Sequence, residues 1–283
     1  MARRPGPTIR RWQLGGELRR HREAAGVSAR RAAAELETTP STLSKIEGGK
    51  QSIKSLYVKL LAPLYGLSLE ERERLLALAE EANQPGWWTT YGKAVPDWVK
   101  LYFGYESDAS QLRTYESELV PGLLQTADYV RAIAKANRPD STESDLETSV
   151  NLRRARQQRM TSDDAPDLHV VVNEAVLHRE VGGPAVMRDQ LRHLIKTSES
   201  EHVTIQVLPF RAGAHPAMTA PFTLLGFDYP GMTTVYLENG RGALYLDSRP
   251  DLARYEWMFD QLCQAALSAK DSTALMDTLS RKL

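Results

Sequence analysis

The sequence predicts an α+β fold, with an all-α head of five helices followed by a larger mixed α/β domain with a small sheet. Three observations lead there. Apolar residues recur at helical spacing through the first 82 residues, the periodicity shifts to short apolar runs after Leu168, and charge is unevenly shared. Residues 1–66 hold 13 Lys plus Arg against 5 Asp plus Glu, whereas the chain has 36 of each, so the remainder carries 23 basic against 31 acidic groups. A neutral average thus hides a basic head and an acidic body. The length of 283 residues suggests about two domains. We expect boundaries at 1–82, an aromatic-rich connector at 83–105, and a regulatory or dimerisation domain at 106–283.

The most informative stretch is SARRAAAELETTPSTLSKIEGGK, residues 28–50. Ser28 can cap a helix from Ala29 to Leu36 that places Ala32, Ala33 and Leu36 on one face. Glu37 and Thr38 break the period. Thr39 then caps a second helix with Pro40 at its first position, where the missing N–H costs nothing. That helix buries Leu43 and Ile46, turns Ser41, Thr42, Ser44 and Lys45 outward, and ends at Gly48-Gly49. In a helix-turn-helix, the start of the second helix meets base edges in the major groove while its flanks hold phosphates. The predicted DNA-contacting residues are Ser28, Arg30, Pro40, Ser41, Thr42, Ser44, Lys45, Lys50, Ser52 and Lys54.

Residues Leu14–Leu67, about a fifth of the chain, resemble the xenobiotic-response-element family of helix-turn-helix domains, which includes the lambda and 434 phage repressors. The resemblance rests on LGGELRRHREAAGVS, the alanine-rich second helix, STLSKIEGGK and the fourth helix SLYVKLLAPLYGLS. It implies a structural ion pair between Arg22 and Glu47. Where the family often has glutamine at the start of its second helix, this chain has Ala29, which shifts backbone anchoring to helix N-terminal amides and Arg30. Further arginines at 3, 4, 10 and 11 read either as a nucleic-acid-binding arm or as a solvated tail.

Ser68 and Glu71 form a capping box for the fifth helix, which closes the head near Ala82 with Leu75, Leu76 and Leu78 on its apolar side. Trp87, Trp88, Tyr91, Trp98, Tyr102, Phe103 and Tyr105, with Tyr115 soon after, follow in a chain with 21 aromatics in all. So many rings should glue the connector and a helix over Val95–Phe103 onto the C-terminal domain; a ligand pocket or dimer contact is the alternative. Ser107–Glu118 reads as one helix, and Pro121 starts another through LLQTADYVRAIAKA. Ser144 with Glu147 suggests a capping box for a helix to Met160, whose Arg153, Arg154, Arg156 and Arg159 form a solvated face or a grip for an acidic partner.

From Leu168 the sequence reads strand (Leu168–Val172), helical turn (Glu174–Val181), helix (Val186–Ser198) and strand (Val203–Pro209), a parallel crossover. Strands Pro221–Phe227, Thr233–Glu238 and Ala243–Asp247 follow, joined by turns at Pro230-Gly231 and Asn239-Gly240. Pro250 opens a long helix and Ser272–Leu283 another. The segments VPGLLQTADYVRA, NEAVLHREVGG, MRDQL, TIQVLPF and APFTLL resemble a C-terminal domain of unknown function that follows such heads in actinomycete regulators, covering roughly residues 90–275. The resemblance implies regulators often encoded beside a small antagonist protein.

Catalysis finds little support. Glu174 and His178 could offer two metal ligands, with His169 and His215 elsewhere, but no third ligand has recognisable spacing. No phosphate-binding glycine loop follows a strand, Asn239-Gly240-Arg241-Gly242 reads as a hairpin turn, and no nucleophile-elbow pattern occurs. The sequence points to no catalytic residue, metal or cofactor. The single cysteine, Cys263, reads as packing in a reducing cytoplasm, and no segment suits a signal peptide or a membrane span. The partners expected are double-stranded DNA, a second copy of the chain, and a small antagonist protein or small-molecule effector. Two other readings are an interaction protein whose body binds a small partner, and an enzyme carried by a DNA-targeting head.

Overall fold

The computed structural model describes residues 6–229 and 232–283. Arg3, Arg4 and the predicted Pro230-Gly231 turn lie outside the described residues. The chain divides into two compact units, one of residues up to Thr90 with Lys100–Asp108, the other of Tyr91–Val99 with Ala109–Leu283. The α+β class is as the sequence predicts.

The first unit contains α1 (Pro7–Ala24), α2 (Ala29–Glu35), α3 (Pro40–Glu47), α4 (Ser55–Leu64) and α5 (Leu69–Ala82). Their caps follow the sequence signals. Ser28 Oγ accepts from Arg31 N at 3.2 Å, Thr39 Oγ1 from Thr42 N at 3.1 Å, and Ser68 with Glu71 makes the reciprocal box. Leu14, Leu18, Ala32, Ala33, Leu43, Ile46, Val58, Leu61 and Leu75 form one buried cluster. Arg10 and Arg11 belong to α1 and not to a loose tail: Arg10 Nε lies 2.9 Å from Glu81 Oε2, and Arg11 donates to the Ala82 carbonyl at 3.3 Å. From Lys100 onward α6 (Asp97–Asp108) also belongs to this unit. Its Gly104 lies against Thr8, and Asp108 accepts a hydrogen bond from Gly6 N at 3.1 Å. The connector rings pack among themselves here: Trp87 stacks on Phe103 at 5.6 Å between centroids, and Trp88 meets Trp87 edge-on at 5.7 Å.

The second unit is a six-stranded mixed sheet with helices. In chain order come β1 (Gln111–Glu116), α7 (Ala127–Asn137), α8 (Glu143–Gln157), β2 (Asp167–Asn173), α9 (Ala175–His178), α10 (Pro184–Thr197), β3 (Val203–Leu208), β4 (Phe222–Gly226), β5 (Thr233–Asn239), β6 (Gly242–Leu246), α11 (Arg249–Ala265) and α12 (Ala269–Ser280). The strand order is β3-β2-β1-β4-β5-β6. β1, β2 and β3 run parallel, with α10 in the expected β2–β3 crossover, while β4 to β6 are antiparallel. Tyr115, Val171, Phe222, Leu224 and Val235 pack under Met258, Phe259 and Leu262 of α11.

Four local expectations need correction. The stretch read as a Ser107–Glu118 helix is β1, because Gln111–Glu116 is pinned between β2 and β4, where alternate side chains can bury. The helix expected from Pro121 is a 3₁₀ turn, Gly122–Leu124, followed by a break. Gln125 is extended there, donating its side-chain amide to the Val120 carbonyl at 2.7 Å, and α7 starts only at Ala127. The cap of α8 is Thr142 with Asp145, not Ser144 with Glu147, since Glu147 instead accepts from Arg131 Nε at 2.9 Å. Finally, α8 stops at Gln157 and a 3₁₀ turn, Gln158–Thr161, replaces its expected end.

Candidate nucleic-acid interface

The second helix of the helix-turn-helix, α3, is fixed from three sides. At its start, Thr39 caps it and Pro40 occupies the first turn. Before it, Glu37 adopts φ 50°, the sole left-handed non-glycine residue among the described residues, with Thr38 N closing back on the Ala33 carbonyl at 2.9 Å. That backbone turns the chain from α2 into α3. At the far end, Gly15 of α1 sits on the α3 backbone: a Cβ there would lie 2.5 Å from the Ile46 carbonyl oxygen and 2.6 Å from that of Glu47. Gly49, at φ 66°, takes the left-handed position as the helix ends, and Lys50 N closes on the Lys45 carbonyl at 2.8 Å.

An ion pair finishes the attachment. Arg22 Nε donates to Glu47 Oε1 at 2.7 Å and its terminal nitrogen to Oε2 at 2.9 Å, with a third bond to the Val27 carbonyl at 3.2 Å. The hydrogen bonds to the Glu47 carboxylate raise the Arg22 guanidinium above its ordinary value, against the cost of burial. Beside them the Tyr65 hydroxyl is buried without a protein partner, and burial, reinforced by the Glu47 charge, pushes its phenol upward.

With both ends fixed, the outer surface is presented to solvent. Ser28, Arg30, Pro40, Ser41, Ser44, Lys45, Lys50, Ser52 and Lys54 are exposed and Thr42 is half-buried, its hydroxyl 3.0 Å from that of Thr39. The short hydroxyls and Lys45 can offer donors and acceptors to base edges, and the outer cations suit phosphates. Several of the predicted contact residues already have intramolecular neighbours. Ser52 donates to Asn83 Oδ1 at 2.6 Å, and Lys54 Nζ lies 5.9 Å from the Tyr57 ring centre. Asn83 also donates to the Ile53 and Ala79 carbonyls, both at 2.7 Å, so it ties the chain after α3 to the end of α5. No local sequence signal marks Asn83 for this role.

Among the other candidates, Glu174 is committed to structure. It accepts from Phe210 N at 2.7 Å and lies 3.3 Å from His178 Nε2. His169 is near Cys263 Sγ at 3.7 Å and bonds Gln206 at 2.8 Å, while His215 sits 3.4 Å from the Tyr115 hydroxyl. Burial pushes the Cys263 thiol up to about 11, which keeps it protonated and unreactive near neutrality. Arg153 and Arg156 close over Gly122, and Arg159 bonds Ser162 and Asp164, so much of the arginine cluster stitches its own domain.

A family model described as a helix-turn-helix domain matches residues 13–75, and one described as a domain of unknown function (DUF5753) matches residues 99–278. The chain belongs to the DUF5753 family. No curated protein and no solved structure matches it. The helix-turn-helix match marks this DUF5753 protein as a DNA-binding regulator and points away from an enzyme. No helix among the described residues is long and apolar enough to cross a membrane.

Proposed function

We propose that this DUF5753 protein is a sequence-specific transcriptional regulator of the xenobiotic-response-element class, of actinomycete type, binding its operator in the cytoplasm as a homodimer. The observation that carries the reading is the outer surface of α3, a row of small hydroxyls and one lysine held by Thr39 at one end and by Arg22–Glu47 at the other. One recognition helix of eight residues reads too few base pairs to select a site alone, which is why two copies are needed. Residues 1–82 do the reading. Residues 106–283 supply dimerisation and take an input, from a small antagonist protein or a small-molecule effector, while 83–105 connect the two.

Footprinting of the tagged protein on genomic DNA tests this reading: a compact inverted repeat is the expected result, and occupancy without a motif would overturn it. Lys45 reads a base in this scheme. Lys45→Ala should then weaken operator binding by about 1–3 kcal/mol while leaving non-specific binding nearly intact. An equal loss on every sequence in a competition titration would make Lys45 a phosphate contact instead.

A further inference from the structure

The chain leaving α3 is held by little of its own backbone. After Lys50 N closes on the Lys45 carbonyl, the main-chain N–H groups of Gln51, Ser52, Ile53 and Lys54 meet no acceptor among the described residues, and α4 begins at Ser55 without a side-chain cap. Gln51, Ser52 and Lys54 are exposed, and Ile53 alone is fully buried. Such a run of donors beside a recognition helix suits phosphate oxygens, provided that it keeps one conformation before DNA arrives. A loose segment would have to be ordered on binding, at a cost in affinity.

The hold comes from Asn83, 30 residues beyond Ile53 at the end of α5. Its Nδ2 donates to the Ile53 and Ala79 carbonyls, both at 2.7 Å, and its Oδ1 accepts from the Ser52 hydroxyl at 2.6 Å. The two carbonyls fix which way round the amide sits, because each needs a donor, and so the amide oxygen faces Ser52. A serine hydroxyl has one proton to give. Given to Asn83, it is not available to a phosphate.

We propose that Asn83 is a positioning residue for DNA binding, which with Ser52 braces residues 51–54 so that their main-chain donors face the DNA backbone. The inference rests on the DNA-binding reading above and moves Ser52 from the contact surface to its support. Ser52 and Asn83 then act as one unit, and neither reads sequence, since contacts to phosphate carry no base information. Loss of the brace must therefore be felt equally on every duplex, unlike loss of a base contact on α3.

The test is a double-mutant cycle on the full chain, with affinity for the footprinted operator and for random duplex DNA measured across a salt series. Asn83→Ala should weaken binding to both by the same factor, about threefold to tenfold, and lower the slope of log affinity against log salt by roughly 1, as loss of one phosphate contact does. Ser52→Ala should lose no more than that. The double variant should match Asn83→Ala, because both substitutions remove one brace. Losses that multiply in the double variant would give Ser52 a phosphate contact of its own and overturn the proposal. A loss confined to the operator overturns it too, as does a lowered melting temperature with both affinities and the salt slope unchanged. In those three cases the wild-type chain still binds its operator and the regulator reading stands; a wild-type chain with no affinity for DNA overturns both.

Discussion

In the first unit one buried polar bridge between distant segments is an ion pair, Arg22 with Glu47, whereas in the second unit one such bridge is a neutral amide. Gln190, fully buried on α10, accepts from Thr126 N at 2.7 Å and donates to the Leu124 carbonyl at 2.7 Å. Both bridges span separations that no local signal covers, 25 residues in one case and more than 60 in the other. They fail differently. Removing half of an ion pair strands a charge, while removing the amide strands two backbone groups that the 3₁₀ turn leaves without helical partners. The charged bridge lies at the end of α3, and the neutral one fixes the connection between the 3₁₀ turn and α7.

The comparison is broken most directly at Arg22. Arg22→Ala leaves the Glu47 carboxylate buried and unpaired, and should cost about 3–5 kcal/mol of stability in the first unit by chemical denaturation. The double variant Arg22→Met with Glu47→Leu should recover much of that loss, because it removes both charges together. If single and double variants unfold alike, the pair contributes nothing beyond packing and the contrast with Gln190 collapses.

Next in size is Gln190→Ala. It leaves the Thr126 N–H and the Leu124 carbonyl unsatisfied, at roughly 1–3 kcal/mol per group. The loss should appear in the transition of the second unit, with the DNA affinity of the head unchanged. A fall in the stability of the head as well would mean the two units unfold as one.

The same contrast explains what was legible beforehand. Ser28, Thr39, Pro40 and the Ser68–Glu71 box lie within three or four residues of the groups they serve, so the helices of the head could be read directly. β1 could not: its partners, β2 from Asp167 and β4 from Phe222, lie far away in the chain. Long-range pairing overrode local preference there. Thr142 and Ser144 both head plausible capping boxes, and which one formed was decided by Arg131 on α7 claiming Glu147. The Arg22–Glu47 bridge was accessible only through family resemblance, and Asn83 not at all, since both act across the fold.

A smaller effect, and one that depends on pH, comes from Glu116 at the end of β1. Burial, with the Glu238 charge adding to it and Arg153 opposing it, raises its carboxyl from 4.5 to about 8. The folded state therefore holds this proton more tightly than the unfolded chain. Below pH 4.5 the group is neutral in both states and costs nothing; as pH rises toward 8 the unfolded chain ionises first and stability declines. Glu116→Gln should abolish that decline in urea titrations across the interval and exceed wild type at its upper end. Parallel pH profiles for the two proteins would remove Glu116 from the set of inward-turned groups.

The smallest expected change returns to the local side of the comparison. Thr39→Ala removes the acceptor that caps α3, at about 1 kcal/mol of stability, while leaving Arg22–Glu47 and the Gly15 contact to hold the other end. The helix start carries Ser41 and Thr42, so fraying there should weaken operator binding more than it weakens folding. Thr39→Ser, which keeps the hydroxyl, should restore both. An affinity that falls only in step with stability would show that the far-end bridge alone orders the recognition surface, and that its N-terminal cap is redundant.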